Sequence, residues 1–313
     1  MIKKTIIFSI LIIFILSFIT FVSDRGLRKT GYYNYQEWND IVNGRASSDI
    51  YIQGSSRAWV HVSPKILEKK LNMSVYNFGI DGHKFNIQNA RYNLYKKYNK
   101  KPKIIIQILD FFSLEEKSDL YEAEQFYPYY NEEILINTIE KINGFNSFTY
   151  NIPFLKYSGK YQYNLIGFLE YFNIKHFTSN KYKGYKGQER TWSDDFNNFK
   201  KNNDNGIHVK IDNQMKNDFE EFLLECKKDN IKVFLIYAPE YFELNKYIYN
   251  KKAVINLYKT LADKYNFTFI DFSNDKLSFN KNLFYNSQHL NKEGSELFTN
   301  EIVKHIENKT KEK

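Results

Sequence analysis

The turn Gly54-Ser55-Ser56 and the imidazole of His289 are the groups in this 313-residue chain best suited to chemistry. Ile50, Tyr51 and Ile52 form a short apolar, β-prone run that breaks at Gly54. Two hydroxyl residues follow, ahead of a helix expected from about Pro64. A serine shown on a glycine turn at a strand end can act as a nucleophile, and the next helix N-terminus can offer N–H groups to a developing oxyanion. The same three residues also make an ordinary polar turn. Near the other terminus, His289 lies in a loop before an amphipathic helix carrying Leu297, Phe298, Ile302, Val303 and Ile306, with Asn291 as its N-cap. A loop histidine at a sheet edge can serve as general base to a serine on another strand. His83, after Gly82, is the reserve base. Arg57 adds positive charge beside the serines or forms a salt bridge at a helix start. Asp110 is either a polar contact in the cleft or a strand-end cap.

These residues need a scaffold, and the pattern supplies one. Candidate strands at Asp49–Gly54, Ser74–Gly79, Lys103–Leu109, Lys232–Ala238 and Phe267–Asp271 alternate with helical stretches at about 64–71, 84–99, 213–229 and 250–265. Three of the strands are continuous apolar runs, as expected of strands covered on both faces. In such sheets ligands bind beyond the carboxyl ends of the strands. Ser56, Gly79 and Asp110 fall on that edge, and His289 can reach it.

On these blocks the chain resembles the SGNH/GDSL hydrolase superfamily, in particular the membrane-anchored, envelope-facing branch that includes the D-alanyl transfer protein of teichoic-acid operons and alginate O-acetylation proteins. The resemblance maps Gly54-Ser55-Ser56 to the nucleophile block, with Ser56 as nucleophile. Asn77-Phe78-Gly79-Ile80-Asp81-Gly82 maps to the second block, with Gly79 as oxyanion donor beside the Ser56 N–H. Asn286-Ser287-Gln288-His289-Leu290-Asn291 maps to the Asp-x-x-His block. It spans roughly residues 48–308. It implies a three-layer α/β/α sandwich with a mostly parallel five-stranded sheet in flavodoxin-like order. The implied activity is acyl-ester chemistry, as esterase or O-acyltransferase, on an envelope polysaccharide or anionic polymer, with a membrane acyltransferase as partner.

Two blocks depart from the family pattern. The third block, Gly-x-Asn-Asp, is absent, and the equivalent strand end reads Leu109-Asp110-Phe111-Phe112-Ser113. Asn286 replaces the triad aspartate. An asparagine carbonyl can accept the imidazole Nδ1–H but cannot stabilise an imidazolium as a carboxylate does; in serine proteases that exchange costs about 10⁴-fold in turnover. The residues therefore leave open a Ser-His dyad, a weak triad, or a degenerate scaffold that binds glycans or assists envelope assembly.

Thr5–Val22 is an uncharged run dominated by Ile, Phe and Leu. Its length approaches the about 17–25 residues of a membrane-spanning helix. Ile19-Thr20-Phe21-Val22 lacks the small residues of a cleavage site, so residues 1–22 read as a retained signal anchor. Lys3 and Lys4 place the N-terminus inside, although Arg25, Arg28 and Lys29 flank the other end. The expected arrangement is a single pass in a bacterial cytoplasmic membrane with the large domain outside. Residues 23–47 read as a juxtamembrane linker and 48–308 as the main domain. An insert at about 113–211 carries a helix near Asn131–Asn143, an aromatic stretch and the basic loop Lys181–Gly187, and it suits a lid or substrate surface.

The formal net charge of +9 fits an anionic envelope polymer or lipid surface, and it also follows from a lysine-rich compositional bias. No nucleic-acid motif accompanies that charge. Neither a Gly-x-x-x-x-Gly-Lys nor a Gly-x-Gly-x-x-Gly fingerprint occurs, and no Cys/His cluster has metal-ligand spacing, so no cofactor is expected. Cys226, the single cysteine, lies on one helical face with Phe219, Phe222 and Leu223 and reads as a buried hydrophobe.

Overall fold

The structure, a computed structural model, describes residues 2–115, 120–152 and 155–311. It gathers into two compact units. The first combines Met1–Arg45, Asn93–Tyr98 and Lys117–Asn180; the second combines Ala46–Tyr92, Asn99–Glu116 and Lys181–Lys313.

The second unit is an α/β layer structure. Strands β1 (Ile50–Gln53), β2 (Val75–Asn77), β3 (Ile104–Leu109), β4 (Lys232–Tyr237) and β5 (Thr268–Asp271) pair in parallel in the order β2-β1-β3-β4-β5. All six residues of β3 are buried, which explains its unbroken apolar run in place of an alternation. On one face, α5 (Phe85–Tyr98), α10 (Asn213–Lys228) and α11 (Lys251–Tyr265) meet through aromatic edges. Phe85 and Phe219 lie 4.8 Å apart, Tyr92 and Phe222 5.4 Å, and Phe219 and Tyr258 6.3 Å between ring centroids. Cys226 is buried on this side of α10. A second group of helices, α3 (Ser56–His61), α4 (Pro64–Leu71) and α12 (Lys292–Lys311), packs together. Helix α9 (Asp195–Asn202) seats Phe196 against Tyr241 and Tyr247.

Two local features differ from the expectation. The chain turns helical at Ser56, eight positions before Pro64, because Ser55 caps a one-and-a-half-turn helix too short to show an apolar period. The loop around His289 contains an antiparallel hairpin of β6 (Phe284–Asn286) and β7 (His289–Leu290), again too short for a strand pattern. Asn291 does cap α12, its Oδ1 accepting the Gly294 N–H at 3.0 Å.

In the first unit, α1 (Ile2–Leu27) is a 26-residue helix, about 39 Å at 1.5 Å per residue, long and apolar enough to cross a membrane. Residues 23–47, expected as a linker, are folded. Helix α2 (Tyr35–Val42) buries Trp38 completely against Phe126, 5.6 Å away, and Tyr129. The expected insert is divided between the units, its early part joining the first with α6 (Glu133–Ile139), α7 (Ser147–Asn151) and α8 (Tyr161–Tyr171). Tyr127, Tyr130, Phe145, Tyr150 and Tyr157 pack on one another there, with Tyr150 and Tyr157 buried, whereas Phe148, Tyr161, Phe168 and Phe172 are exposed.

The basic loop belongs to the second unit and is not a projecting lid. Lys183 O accepts the Asn77 N–H at 2.9 Å beside the outer strand β2, while Lys183 and Tyr182 both engage Glu68. Gly184 (φ +83°) sits so close to Asn77 O that a Cβ would stand 1.8 Å away. The loop seals the sheet edge, a common protection against edge-to-edge pairing.

Candidate active site

The site is built at the carboxyl end of β1. Gly54 has φ +152°, and a Cβ there would meet Ile108 O at 2.7 Å, so only glycine fits this turn beside β3. Ser55 is the N-cap of α3; its Oγ donates to Asp110 Oδ2 at 2.6 Å. Asp110, fully buried at the end of β3, also accepts from Ser113 Oγ at 2.7 Å and from the Phe112 N–H at 3.2 Å. Of its two expected roles, the structure gives Asp110 the strand-end cap. Ser55 is thereby occupied, and Ser56 is the serine that faces His289.

Ser56 Oγ lies 2.7 Å from His289 Nε2, although 233 residues separate them. His289 Nδ1 lies 3.0 Å from Asn286 Oδ1. The same oxygen accepts the N–H groups of Gln288 at 3.0 Å and His289 at 2.9 Å, which fixes the amide with its oxygen toward the ring. An oxygen there can only accept, so Nδ1 carries the proton and Nε2 is left to accept the Ser56 O–H. Tyr285 stacks on the His289 ring at 5.3 Å and 8°, with the Arg190 guanidinium over the far aromatic ring at 5.7 Å. Ser56 itself is 7% exposed.

Burial, with the nearby Arg57 charge second, holds the His289 pKa down from the usual 6.5 to about 3. The imidazole is therefore neutral at physiological pH, as a general base must be, though it is a weaker base than an ordinary histidine.

Sequence reasoning overlooked His61. It is fully buried at the end of α3, and its Nε2 accepts the Leu290 N–H at 3.0 Å, one residue beyond His289. Its carbonyl accepts from Thr299 Oγ1 of α12 at 3.2 Å, and its ring stands edge-on to His289 at 6.0 Å. Thus the helix that carries the serine also grips the hairpin that carries the imidazole. Burial pushes the His61 pKa well below its usual value, with the His289 and Arg57 charges adding to the effect. The one sequence signal for this role is the five-residue spacing from Ser56 to the far end of the same short helix.

Arg57 points away from an exposed catalytic role. It is completely buried and ion-paired with Glu240 at 2.8 Å; Glu240 in turn pairs with Lys251 and accepts from Tyr237 Oη at 3.3 Å. Burial alone would raise the Glu240 carboxyl, but Arg57 and Lys251 outweigh it and lower it. Phe111 and Phe112 cover the Arg57 guanidinium at 5.5 and 5.8 Å. Glu240 carries no local signal for this role, since Arg57 lies 183 positions away in the sequence.

Gly79 departs from its expected role as oxyanion donor. Its N–H donates to Asn77 Oδ1 at 2.8 Å, and a Cβ would stand 2.2 Å from Trp59 N. The glycine lets β2 approach α3 closely, and Asn77 Nδ2 completes that joint by donating to Ala58 O at 2.7 Å and Val62 O at 2.8 Å. The Ser56 N–H, as the first amide of α3, has no acceptor within its own helix. His83, expected as the reserve base, is buried just before α5 with its carbonyl accepting from Gln88 Nε2 at 3.1 Å; the imidazole that lies against Ser56 is that of His289.

Among the described residues, no group of three or more His, Cys, Asp or Glu side chains is arranged to hold a metal ion. No family model matches the chain, and no curated protein matches it. The functional reading therefore rests on this geometry and on the sequence blocks that produce it.

Proposed function

We propose that this chain performs serine-dependent acyl-ester chemistry of the SGNH/GDSL type, as an esterase or O-acyltransferase acting on a polymer of the bacterial cell envelope. The observation that carries this reading is the Ser56 Oγ to His289 Nε2 separation of 2.7 Å, with Asn286 Oδ1 behind the ring at 3.0 Å. In the first half-reaction Ser56 Oγ attacks the ester carbonyl carbon while its proton passes to His289 Nε2. The carbonyl π pair moves onto oxygen, which the Ser56 N–H can receive. When the tetrahedral adduct collapses, the imidazolium returns its proton to the leaving alcohol and an acyl-serine remains. A water or a glycan hydroxyl then repeats the sequence and releases Ser56. Asn286 orients the ring without a full negative charge, which points to slow turnover.

The anchor and charge favour an envelope substrate. Helix α1 would hold the second unit outside the cytoplasmic membrane, with Lys3 and Lys4 at the inner end, and the excess of nine positive charges suits an anionic polymer. A membrane-embedded acyltransferase that delivers the acyl group is the partner this placement calls for. A second reading, a degenerate glycan-binding or assembly module, draws on Asn286 in the acid position and on the committed Gly79 N–H.

A fluorophosphonate probe separates the two. The catalytic reading expects labelling of the full chain in detergent, with loss in both Ser56→Ala and His289→Ala. Labelling that persists in Ser56→Ala would falsify the nucleophile assignment, and a folded wild-type protein that never labels or hydrolyses aryl acetates would favour the binding module.

A further inference from the structure

Helix α8 presents an uncharged apolar stripe outward while its opposite side packs on α1. Tyr161, Leu165, Phe168 and Phe172 are 74%, 60%, 44% and 48% exposed, and their spacing of four, three and four residues puts them on one face. Glu170, the only charged residue of α8, is buried and bonded to Thr30 Oγ1 at 2.8 Å and to the Phe177 N–H at 2.6 Å. A contiguous stripe of this kind needs a covering phase other than water.

Its position along α1 says which phase. The two helices run in the same direction: Asn164 Oδ1 accepts from Ser23 Oγ at 2.9 Å, Glu170 bonds Thr30, and Lys29 lies over the Tyr171 ring at 5.2 Å. Counting back from the Asn164–Ser23 pair, Tyr161 stands about level with Thr20. Gly26 and Gly167 meet backbone to backbone, and a Cβ on Gly26 would come 1.7 Å from Gly167 O. Close helix approach through small residues is the usual packing of helices in and beside bilayers. The uncharged part of α1 ends at Ser23, and Ile19 and Phe21 are exposed there, so its apolar surface continues onto Tyr161 and Leu165 of α8. Arg25, Lys29 and Lys175 follow at the level where lipid headgroups begin.

We infer that α8 is a second membrane contact: its N-terminal half lies in the headgroup–acyl boundary of the leaflet from which α1 emerges, and its partner is the lipid surface. This rests on the proposed reading of α1 as a membrane anchor. Such a helix, apolar on its lipid side and packed on its protein side, fixes the height and tilt of the first unit instead of leaving it to swing from one span.

The test uses the full chain in phosphatidylcholine–phosphatidylglycerol vesicles, with an NBD fluorophore on single introduced cysteines; the native Cys226 is buried. Leu165→Cys is expected to be quenched several-fold more by 5-doxyl than by 12-doxyl lipid, with Phe172→Cys quenched more weakly. Phe14→Cys in α1 reports the anchor and is expected to favour the 12-doxyl quencher, while the same labelled proteins in vesicles without doxyl lipid set the unquenched baseline. Leu165→Cys at that baseline with Phe14→Cys quenched would overturn the α8 contact and leave the anchor standing. Phe14→Cys unquenched would remove the anchor and, with it, this inference.

Discussion

Ser55 Oγ donates to Asp110 Oδ2 at 2.6 Å inside a fully buried joint between the ends of β1 and β3. That bond separates the tasks of two adjacent serines, one holding the turn and the other meeting His289. Ser56→Ala is expected to abolish probe labelling with little change in stability. Ser55→Ala should keep labelling but lose about 1–3 kcal/mol, because Asp110 is left with an unpaired buried oxygen. Chemical denaturation alongside labelling distinguishes the two, and equal behaviour would show that the serines are not divided in this way.

Asn286→Asp places a carboxylate behind the imidazole. An opposite charge within hydrogen-bond range raises a histidine pKa by about 1–3 units, so the His289 value would climb from about 3 toward the ordinary range. Aryl acetate turnover should rise by roughly tenfold or more, given the ~10⁴-fold cost of the reverse exchange in serine proteases. The acid limb of kcat/KM should move upward in pH at the same time. An unchanged profile would separate Asn286 from the chemistry.

Two histidines are held neutral by the fold. Because their folded pKa values lie below the usual 6.5, the unfolded chain binds more protons in the interval between, and stability rises with pH there. Acidification from pH 7 should therefore destabilise the second unit progressively below about 6.5, with a limiting slope of about 1.4 kcal/mol per pH unit for each histidine involved. His61→Leu should remove part of that slope. It also orphans the Leu290 N–H, at about 1–3 kcal/mol, and should lower kcat more than it changes KM by loosening the hairpin. Urea midpoints from pH 7 to pH 5 and steady-state kinetics measure both effects; a pH-independent wild-type midpoint would refute the assignment.

Glu240 is the common acceptor for Arg57 and Lys251 in a site closed to water. Glu240→Gln removes the carboxylate that both cations share and should cost about 3–5 kcal/mol. Exposed pairs such as Lys259–Asp263 should cost less than about 1 kcal/mol when broken. Paired denaturation curves for Glu240→Gln and Asp263→Asn test this contrast, and similar losses would overturn the claim that burial sets the scale.

The five parallel strands, the long helices and the membrane-length α1 follow from the chain's local patterning. Apolar runs such as Ile104–Leu109 are written in consecutive residues, and their burial follows wherever the sheet forms. The residues of the Ser56–His289 pair could be named from short blocks for the same reason. What tertiary structure alone decided lies between distant positions. The Arg57–Glu240 pair spans 183 residues, the His61 grip on Leu290 spans 229, and Gly79 gives its N–H to Asn77 because β2 must pass against α3. Side-chain chemistry sets what each residue can bond, whereas the folded path of the backbone sets which partner arrives; a pattern read along one chain contains the first and not the second.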